Sequence, residues 1–329
     1  MEAITFKNFG GPEVLQFASV PDPEIGADEL LVEVYATALN RADILQRKGH
    51  YPPPKGASEI PGLEIAGKII QKGKSVKKWK EGDFVFGLIP GGGYAEKAVI
   101  HQDMAMLIPD GISVQHAAAI PEVYLTAYQA LFWLGNLSEN QSVLIHAGAS
   151  GVGTAAIQLA KSRKATVFVT ATAGKHETCH QLGADAAFDY TTGSFEEWLT
   201  KMNSNQGVNI ILDFIGSPYL AQNINVLDMD GKMIQLALLG SSITSDIDLS
   251  KILKKRIQII GSTLRNRSLE YQIELTREFY HYSKERFERK KLKPIIGKVF
   301  DWQEVQEAHR YMESNKNIGK ILLQIKGAY

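Results

Sequence analysis

The sequence predicts an α/β protein of two domains, one β-rich and one built on a doubly wound parallel sheet, and three observations carry that expectation. The first hundred or so residues hold short apolar runs of period two, punctuated by glycine and proline. From Ser142 onward, short wholly apolar runs alternate with helical stretches, the rhythm of a parallel sheet covered on both faces. A chain of 329 residues is also long for a single core.

Taken in order, "ELLVEVYATALN", "GKIIQKG", "DFVFGLI" and "YAEKAVIH" are expected as antiparallel strands joined by tight turns. Around "DGISVQHAAAIPEVYLTAYQALFWLG" the period becomes helical, with Pro121 expected to interrupt it, and the first domain boundary falls there. "SVLIHAG", "ATVFVTA", "AAFDY", "VNIILDFIG", "GKMIQLALLG" and "RIQIIGS" are then the strands of the parallel sheet. A charged helix follows, "LEYQIELTREFYHYSKERFERKK", and after it a strand, a helix and a last strand that can rejoin the first domain. No internal repeat and no low-complexity segment is present.

Composition narrows the function. Lysine plus arginine and aspartate plus glutamate both number 36, so the whole-molecule field recruits neither nucleic acid nor an anionic membrane. The basic cluster "KERFERKK" is mixed in sign and reads as the solvated face of a helix, which argues against nucleic-acid binding. Cys179 is the only cysteine, which excludes an internal disulfide and a multi-cysteine metal site. The start "MEAITFKNFGG" lacks an apolar targeting core, and the longest uncharged apolar stretch, "VYLTAYQALFWLGNLS", falls short of a bilayer span. A soluble, cytoplasmic protein is expected, in which the Asn-x-Ser triplets at Asn136, Asn140 and Asn266 are accidental.

"HAGASGVGTAAIQLAK" begins at His146, between a buried-strand pattern and a helix of small residues, so Gly148 to Gly153 is expected to form a strand-to-helix turn. Gly148 would allow the tight turn, and Gly151 and Gly153 would remove β-carbons that separate helix, strand and ligand. The free N–H groups of the helix start then face an anion, for which a dinucleotide pyrophosphate is the natural guest. The motif departs from G-x-G-x-x-G at Ser150, whose hydroxyl either bonds a phosphate or caps the helix. A hydrolase elbow, G-x-S-x-G, is disfavoured because Val152 stands at its last glycine. Past the second strand, "VTATAGKHET" has no carboxylate from Thr170 to Gly174, and Lys175 supplies a cation where a 2′-phosphate would lie. That favours NADPH over NADH.

Together "NRADILQRKGHYPPP", "PGLEIAGKI", "GDFVFGL", "GGYAEKAV", "HAGASGVGTAAIQLAK" and "NIGKILL" resemble the zinc-independent quinone oxidoreductase branch of the medium-chain dehydrogenase/reductase superfamily. The resemblance spans nearly the whole chain and is closest to the p53-inducible quinone oxidoreductase type. It implies a GroES-like catalytic domain of residues 1–121 and 267–329, a Rossmann NADPH-binding domain of residues 122–266, a cleft between them, and a homodimer formed through the Rossmann sheets. Zinc-dependent alcohol dehydrogenases of the superfamily carry a G-H-E motif and several cysteines, where this chain has Gly62-Leu63-Glu64 and one distant cysteine. No metal site is expected, since His50, His101 and His146 show no paired ligand spacing either.

Carried onto this chain, the family's nucleotide contacts fall at Thr126 beside the nicotinamide, at Ser150, Gly151, Val152 and Gly153 on the pyrophosphate, and at Lys175 with Tyr190 on the 2′-phosphate. Ile215, Gly216 and Ser217, then Leu238, Leu239 and Gly240, then Thr263, Leu264 and Arg265, and finally Asn317, are implied to line the nicotinamide half. On the substrate side Asn40, Asp43, Arg47 and Tyr51 match the family's pattern, with Leu45 where some members have a tyrosine. The implied reaction passes hydride from the nicotinamide to a quinone, with Tyr51 and Asn40 orienting the acceptor and Asp43 bracing their loop. Two alternatives stand beside it: reduction of an enal or enone double bond with Tyr51 as proton donor, and a nucleotide- or RNA-binding protein with little turnover.

Overall fold

A computed structural model describes residues 1–204, 206–244 and 247–327. The chain divides into two compact units, Met1–Leu125 with Arg265–Tyr329, and Thr126–Leu264. The elements of the leading part are β1 (Glu2–Thr5), β2 (Gln16–Ser19), β3 (Glu29–Ala38), α1 (Arg41–Arg47), β4 (Glu64–Lys72), β5 (Phe84–Leu88), β6 (Lys97–His101), β7 (Ala105–Leu107), α2 (Val114–Ala117) and α3 (Pro121–Tyr128). The middle part holds β8 (Ser142–Ile145), α4 (Gly151–Ser162), β9 (Thr166–Thr170), α5 (His176–Gln181), β10 (Ala186–Phe188), α6 (Phe195–Met202), β11 (Val208–Asp213), α7 (Ser217–Val226), β12 (Leu227–Gln235), α8 (Leu249–Lys255) and β13 (Gln258–Gly261). The chain ends with α9 (Leu269–Glu288), β14 (Ile296–Asp301), α10 (Val305–Glu313) and β15 (Lys320–Gln324).

The first unit is the GroES-like domain. Its main sheet runs β14-β15-β3-β4-β5-β7, with β6 also on β3. One edge of β3 carries β4, while β15 and β6 divide the other edge between them. That central place explains why "ELLVEVYATA" is buried almost throughout instead of alternating. Strand β15 does return to the first unit, and it pairs parallel with β14 across α10. One core therefore takes Ile4 and Leu39 from the start of the chain and Phe300, Val305 and Ile321 from its end.

The second unit is the Rossmann domain. Six parallel strands run β10-β9-β8-β11-β12-β13, and the chain's direction of travel across the sheet reverses between β8 and β11. Ligands of such sheets bind beyond the carboxyl ends of the strands at that reversal. Buried Ala155, Ala156 and Ala160 let α4 lie close on the sheet.

Pro121 falls at the break in the helical pattern, after α2 ends at Ala117. It opens α3 at the position whose N–H has no intrahelical partner. The unit boundaries fall at 125/126 and 264/265, a few residues from those expected. Glu122 is tied to the first unit by its N–H to Glu64 Oε2 (2.9 Å), Tyr124 by its hydroxyl to the Lys293 carbonyl (2.7 Å), and Arg265 by its guanidinium to the Pro90 carbonyl (2.6 Å). Among the described residues no helix is long and apolar enough to cross a membrane.

Candidate active site

In the second unit, the turn between β8 and α4 is built differently from the simplest glycine reading. The left-handed residue is Ala147 (φ 49°), not Gly148. Gly148 is required by packing: a β-carbon there would lie 2.7 Å from Val169 Cβ of β9. At Gly153 it would lie 2.4 Å from the Ala147 carbonyl oxygen and 2.5 Å from that of Gly148. Ser150 takes the capping role, its Oγ accepting the Gly153 N–H (3.1 Å). Gly151 and Val152 then form the first turn of α4. A tight turn leading into the N-terminus of a 12-residue helix fits a pyrophosphate.

Buried His146 joins the strand ends around this turn. Its Nε2–H donates to Asn223 Oδ1 (2.8 Å), which leaves Nδ1 to accept from the Thr170 hydroxyl (3.0 Å). Asn223 Nδ2 donates to Asp213 Oδ2 (3.2 Å), and Asp213 Oδ1 receives the N–H groups of Ile215 (2.6 Å) and Gly216 (3.3 Å). Burial pushes the imidazole's pKa down and keeps it neutral.

The structure brings Ile215, Gly216 and Ser217 against Leu238, Leu239 and Gly240. Gly240 N–H donates to the Ile215 carbonyl (2.9 Å) and Ser217 N–H to the Ser241 carbonyl (3.0 Å). Leu238 and Leu239 lie open, each 53% exposed. Lys175 and Tyr190 follow the ends of the paired strands β9 and β10, and Tyr190 is exposed. Asp189, which sequence reasoning passed over, accepts the Ala173 N–H (3.0 Å) and the Thr191 N–H and hydroxyl (2.9 and 2.7 Å). These bonds hold its carboxyl below the ordinary range. Thr126 is half-buried in α3, Thr263 is exposed past β13, and Leu264 is buried. Asn317 and Arg265 belong to the first unit, where Asn317 Nδ2 donates to the Gly319 carbonyl (2.9 Å).

The first unit gathers the remaining residues into a buried polar network. Asn40 caps α1 and its side chain is turned inward: Nδ2 donates to Glu64 Oε1 (2.9 Å) and the Ala38 carbonyl (3.2 Å), while Oδ1 accepts from Lys320 (2.6 Å). Asp43 receives the N–H groups of Asn40 (2.8 Å) and Gly62 (3.2 Å) and the Tyr94 hydroxyl (3.2 Å), so it braces the loop at both ends. Tyr94 in turn accepts from His309 Nε2 (3.2 Å), whose Nδ1 accepts from Arg47 (3.1 Å), giving one donor direction from Arg47 to Asp43. Burial raises Asp43 to about 6 and, with the Arg47 charge, lowers His309 to about 3.

Lys320 is buried and spends its three N–H donors on the Leu39 carbonyl (2.6 Å), Asn40 Oδ1 (2.6 Å) and Glu64 Oε1 (2.7 Å). Its ammonium thus neutralises the carboxylate of the Gly62-Leu63-Glu64 stretch. Among the described residues no three histidine, cysteine, aspartate or glutamate side chains come together as a metal set. With Glu64 paired to Lys320 and Leu63 beside it, the Gly62-Leu63-Glu64 stretch does not fit a zinc ion.

Tyr51 is half-buried under Arg265, whose guanidinium lies 5.4 Å from the ring centre and donates to Gln46 Oε1 (2.9 Å) and the Pro90 carbonyl (2.9 and 2.6 Å). Arg265 therefore packs on the residues of the substrate side. Beside it, Glu122 lines a small recess with Leu63, Leu88, Ile89 and Pro90. Sequence reasoning missed Glu122 and Lys320, although each is a lone charge in an apolar run, "AAAIPEVYL" and "IGKILL".

Residues 26–110 match the alcohol dehydrogenase GroES-like domain family, and residues 151–278 match the zinc-binding dehydrogenase family. A synaptic vesicle membrane protein VAT-1 homolog of Danio rerio is 32% identical over 336 residues, covering 98% of this chain and 69% of its own. The quinone oxidoreductase of Lama guanicoe is 32% identical over 337 residues, 99% of this chain and 98% of its own. Among solved structures, that of an Escherichia coli quinone oxidoreductase complexed with NADPH superposes with a TM-score of 0.89 at 27% identity, covering 98% of this chain and 100% of that one.

Proposed function

We propose that this chain, an oxidoreductase that belongs to the quinone oxidoreductase branch of the medium-chain dehydrogenase/reductase superfamily, is an NADPH-dependent, zinc-independent quinone reductase. The observation that carries this reading is the tight glycine turn at Gly148–Gly153, opening helix α4, on a Rossmann sheet whose second strand ends without a carboxylate and leads to Lys175. When bound, a reduced nicotinamide supplies hydride. The chain supplies position. Ser150, Gly151, Val152 and Gly153 hold the pyrophosphate, Lys175 and Tyr190 the 2′-phosphate, and the His146–Asn223–Asp213 chain keeps Ile215, Gly216 and Ser217 in place beside Leu238, Leu239 and Gly240. Thr126, Thr263, Leu264 and Asn317 complete the proposed nucleotide contacts. On the acceptor side Tyr51 offers its hydroxyl; Asn40, expected to orient the acceptor with it, spends its side chain on Ala38, Glu64 and Lys320 instead, so it joins Asp43 in holding the loop. Stopped-flow mixing of the protein with NADPH and a panel of ortho- and para-quinones tests this directly: rapid loss of NADPH is expected, and its absence with every quinone would end the proposal.

Cofactor choice has its own test. Lys175→Glu should weaken NADPH at least tenfold more than NADH, about 1.4 kcal/mol of selectivity, read as the ratio of the two dissociation constants. Equal losses would make Lys175 an ordinary surface lysine. Reduction of enals and enones is the second reading, favoured by the desolvated carboxyl of Glu122. RNA binding is disfavoured by α9, where Arg277 and Lys284, and Arg289 just past its end, each pair with a glutamate of the helix.

We further place the protein in the cytoplasm, where a buried thiol such as Cys179 stays reduced, and infer a homodimer. Strand β13 is an outer edge of the six-stranded sheet, and Ile259 on it is 44% exposed. An exposed apolar edge invites pairing with a second copy. Ile259→Lys should shift sedimentation from dimer to monomer; an unchanged sedimentation coefficient would remove β13 from the interface.

A further inference from the structure

Asp189 directly follows β10, and every bond of its side chain lies within the second unit. Oδ1 accepts the Thr191 N–H (2.9 Å) and hydroxyl (2.7 Å), and Oδ2 accepts the Ala173 N–H (3.0 Å). The Asp189 carbonyl takes the Thr192 N–H (3.0 Å) and hydroxyl (2.8 Å), so the bend that follows fixes which way the carboxylate faces. One carboxylate therefore links two stretches 16 residues apart in the chain: the turn after β9, which carries Lys175, and the bend after β10, which carries Tyr190.

Packing contributes little to the first of these. Residues Ala173–Lys175 form a single 3₁₀ turn with no buried member. Ala173 and Gly174 are exposed, and a β-carbon on Gly174 would meet nothing within 4 Å. The chain entering the turn is tied to β10 by Ala171 N–H on the Phe188 carbonyl (3.0 Å), and Lys175 N–H closes the turn on the Thr172 carbonyl (2.9 Å). A surface turn without apolar contacts takes its place from its polar anchors.

Resting on the NADPH reading, we propose that Asp189 is a positioning residue for coenzyme choice: by anchoring Ala173 it sets the turn that presents Lys175 to the 2′-phosphate. It touches no coenzyme in this role. By charge alone a carboxylate near that phosphate weakens NADPH, so the two effects of Asp189 have opposite signs. The geometric effect prevails at an exposed site, where solvent and salt screen the repulsion while a lost anchor releases an unpacked turn. Asparagine cannot stand in for it. Whichever way the amide is turned, its NH2 group meets an N–H donor, that of Ala173 or that of Thr191.

The test is calorimetric titration of the full chain with NADPH and with NADH, for wild type, Asp189→Asn, Thr191→Val and Lys175→Met. Asp189→Asn should weaken NADPH about tenfold and NADH at most about twofold, although it removes a negative charge. Thr191→Val leaves the charge in place and takes one bond from the carboxylate, so NADPH should weaken about threefold. In a Lys175→Met background, adding Asp189→Asn should cost NADPH no more than about threefold, because the cation it positions is gone. A merely structural residue would lower both coenzymes alike and cost the full tenfold in either background; either result overturns the proposal. Tighter NADPH binding by Asp189→Asn would mark the carboxylate as a repelling charge and overturn it too. If wild type prefers NADPH and Asp189→Asn keeps that preference, the positioning role falls while the NADPH reading stands. If wild type binds NADPH no tighter than NADH, the NADPH reading falls and takes the inference with it.

Discussion

On the proposed NADPH reading, a Gly153→Val chain should lose at least 100-fold in NADPH affinity, and its second unit should melt earlier by an amount corresponding to about 2–3 kcal/mol. The reason is the nature of what the new side chain meets. Its β-carbon would lie 2.4 Å from the Ala147 carbonyl oxygen, 2.5 Å from the Gly148 carbonyl oxygen and 2.7 Å from the Gly148 carbonyl carbon, all of them backbone. A flexible side chain can turn aside, but this backbone cannot, because Ala147 already holds a left-handed conformation and Gly148 N–H is bonded to the Thr170 carbonyl (2.9 Å). Helix α4 must retreat instead, and the N–H groups of its first turn retreat with it. Gly148→Ala makes the informative contrast, since its methyl would press on Val169 Cβ of β9 at 2.7 Å and push turn and strand apart without touching the turn's own carbonyls. Calorimetric titration with NADPH and thermal melts of both variants decide the matter. Gly153→Val binding as tightly as wild type would move the pyrophosphate away from this turn.

The same turn shows what was legible beforehand. Strand, glycines and helix could be read from "SVLIHAGASGVG", because periodicity and small residues are local properties. Which residue turns left-handed could not: it is Ala147, while Gly148 is demanded by the close approach of β9, a partner the local sequence does not name. Pro121 was legible as a break but not as a start, because its effect depends on whether a helix already precedes it. Asn40 and Asp43 stand three residues apart, and their capping relation is local. Lys320 lies 280 residues from Asn40, and only the return of β15 to β3 brings the two together. Arg265 follows the last Rossmann strand in sequence, where the resemblance implies a nucleotide contact, and its donors go to Gln46 and Pro90, partners far away in the chain.

Lys320→Met should destabilise the first unit by about 3–5 kcal/mol, because it strands a buried carboxylate rather than removing a surface contact. Glu64 is wholly buried and Lys320 nearly so, with the ammonium 2.7 Å from Oε1. Glu64 would keep the donors from Asn40 Nδ2 and Glu122 N–H, neither of which carries a charge to offset its own. The Leu39 carbonyl and Asn40 Oδ1 would lose their bonds as well. Neutralising the stranded group in Lys320→Met/Glu64→Gln should recover more than half of the loss, a coupling of about 2 kcal/mol in a double-mutant cycle.

The deficit should also depend on pH, with a sign that can be worked out. Lys320 lowers the carboxyls of Asp43 and Glu122, so its removal raises them beyond their present values of about 6 and about 8. An acid whose folded pKa lies above its unfolded value binds more protons in the folded state across that window, so its stabilising contribution is lost as pH rises. Lys320→Met should therefore be closer to wild type at pH 5 than at pH 9, measured as the shift in the first unit's melting transition. A deficit below about 1 kcal/mol and equal at both pH values would mean that Glu64 finds another way to shed its charge, and that the ammonium is a replaceable neighbour rather than the counter-ion of the site.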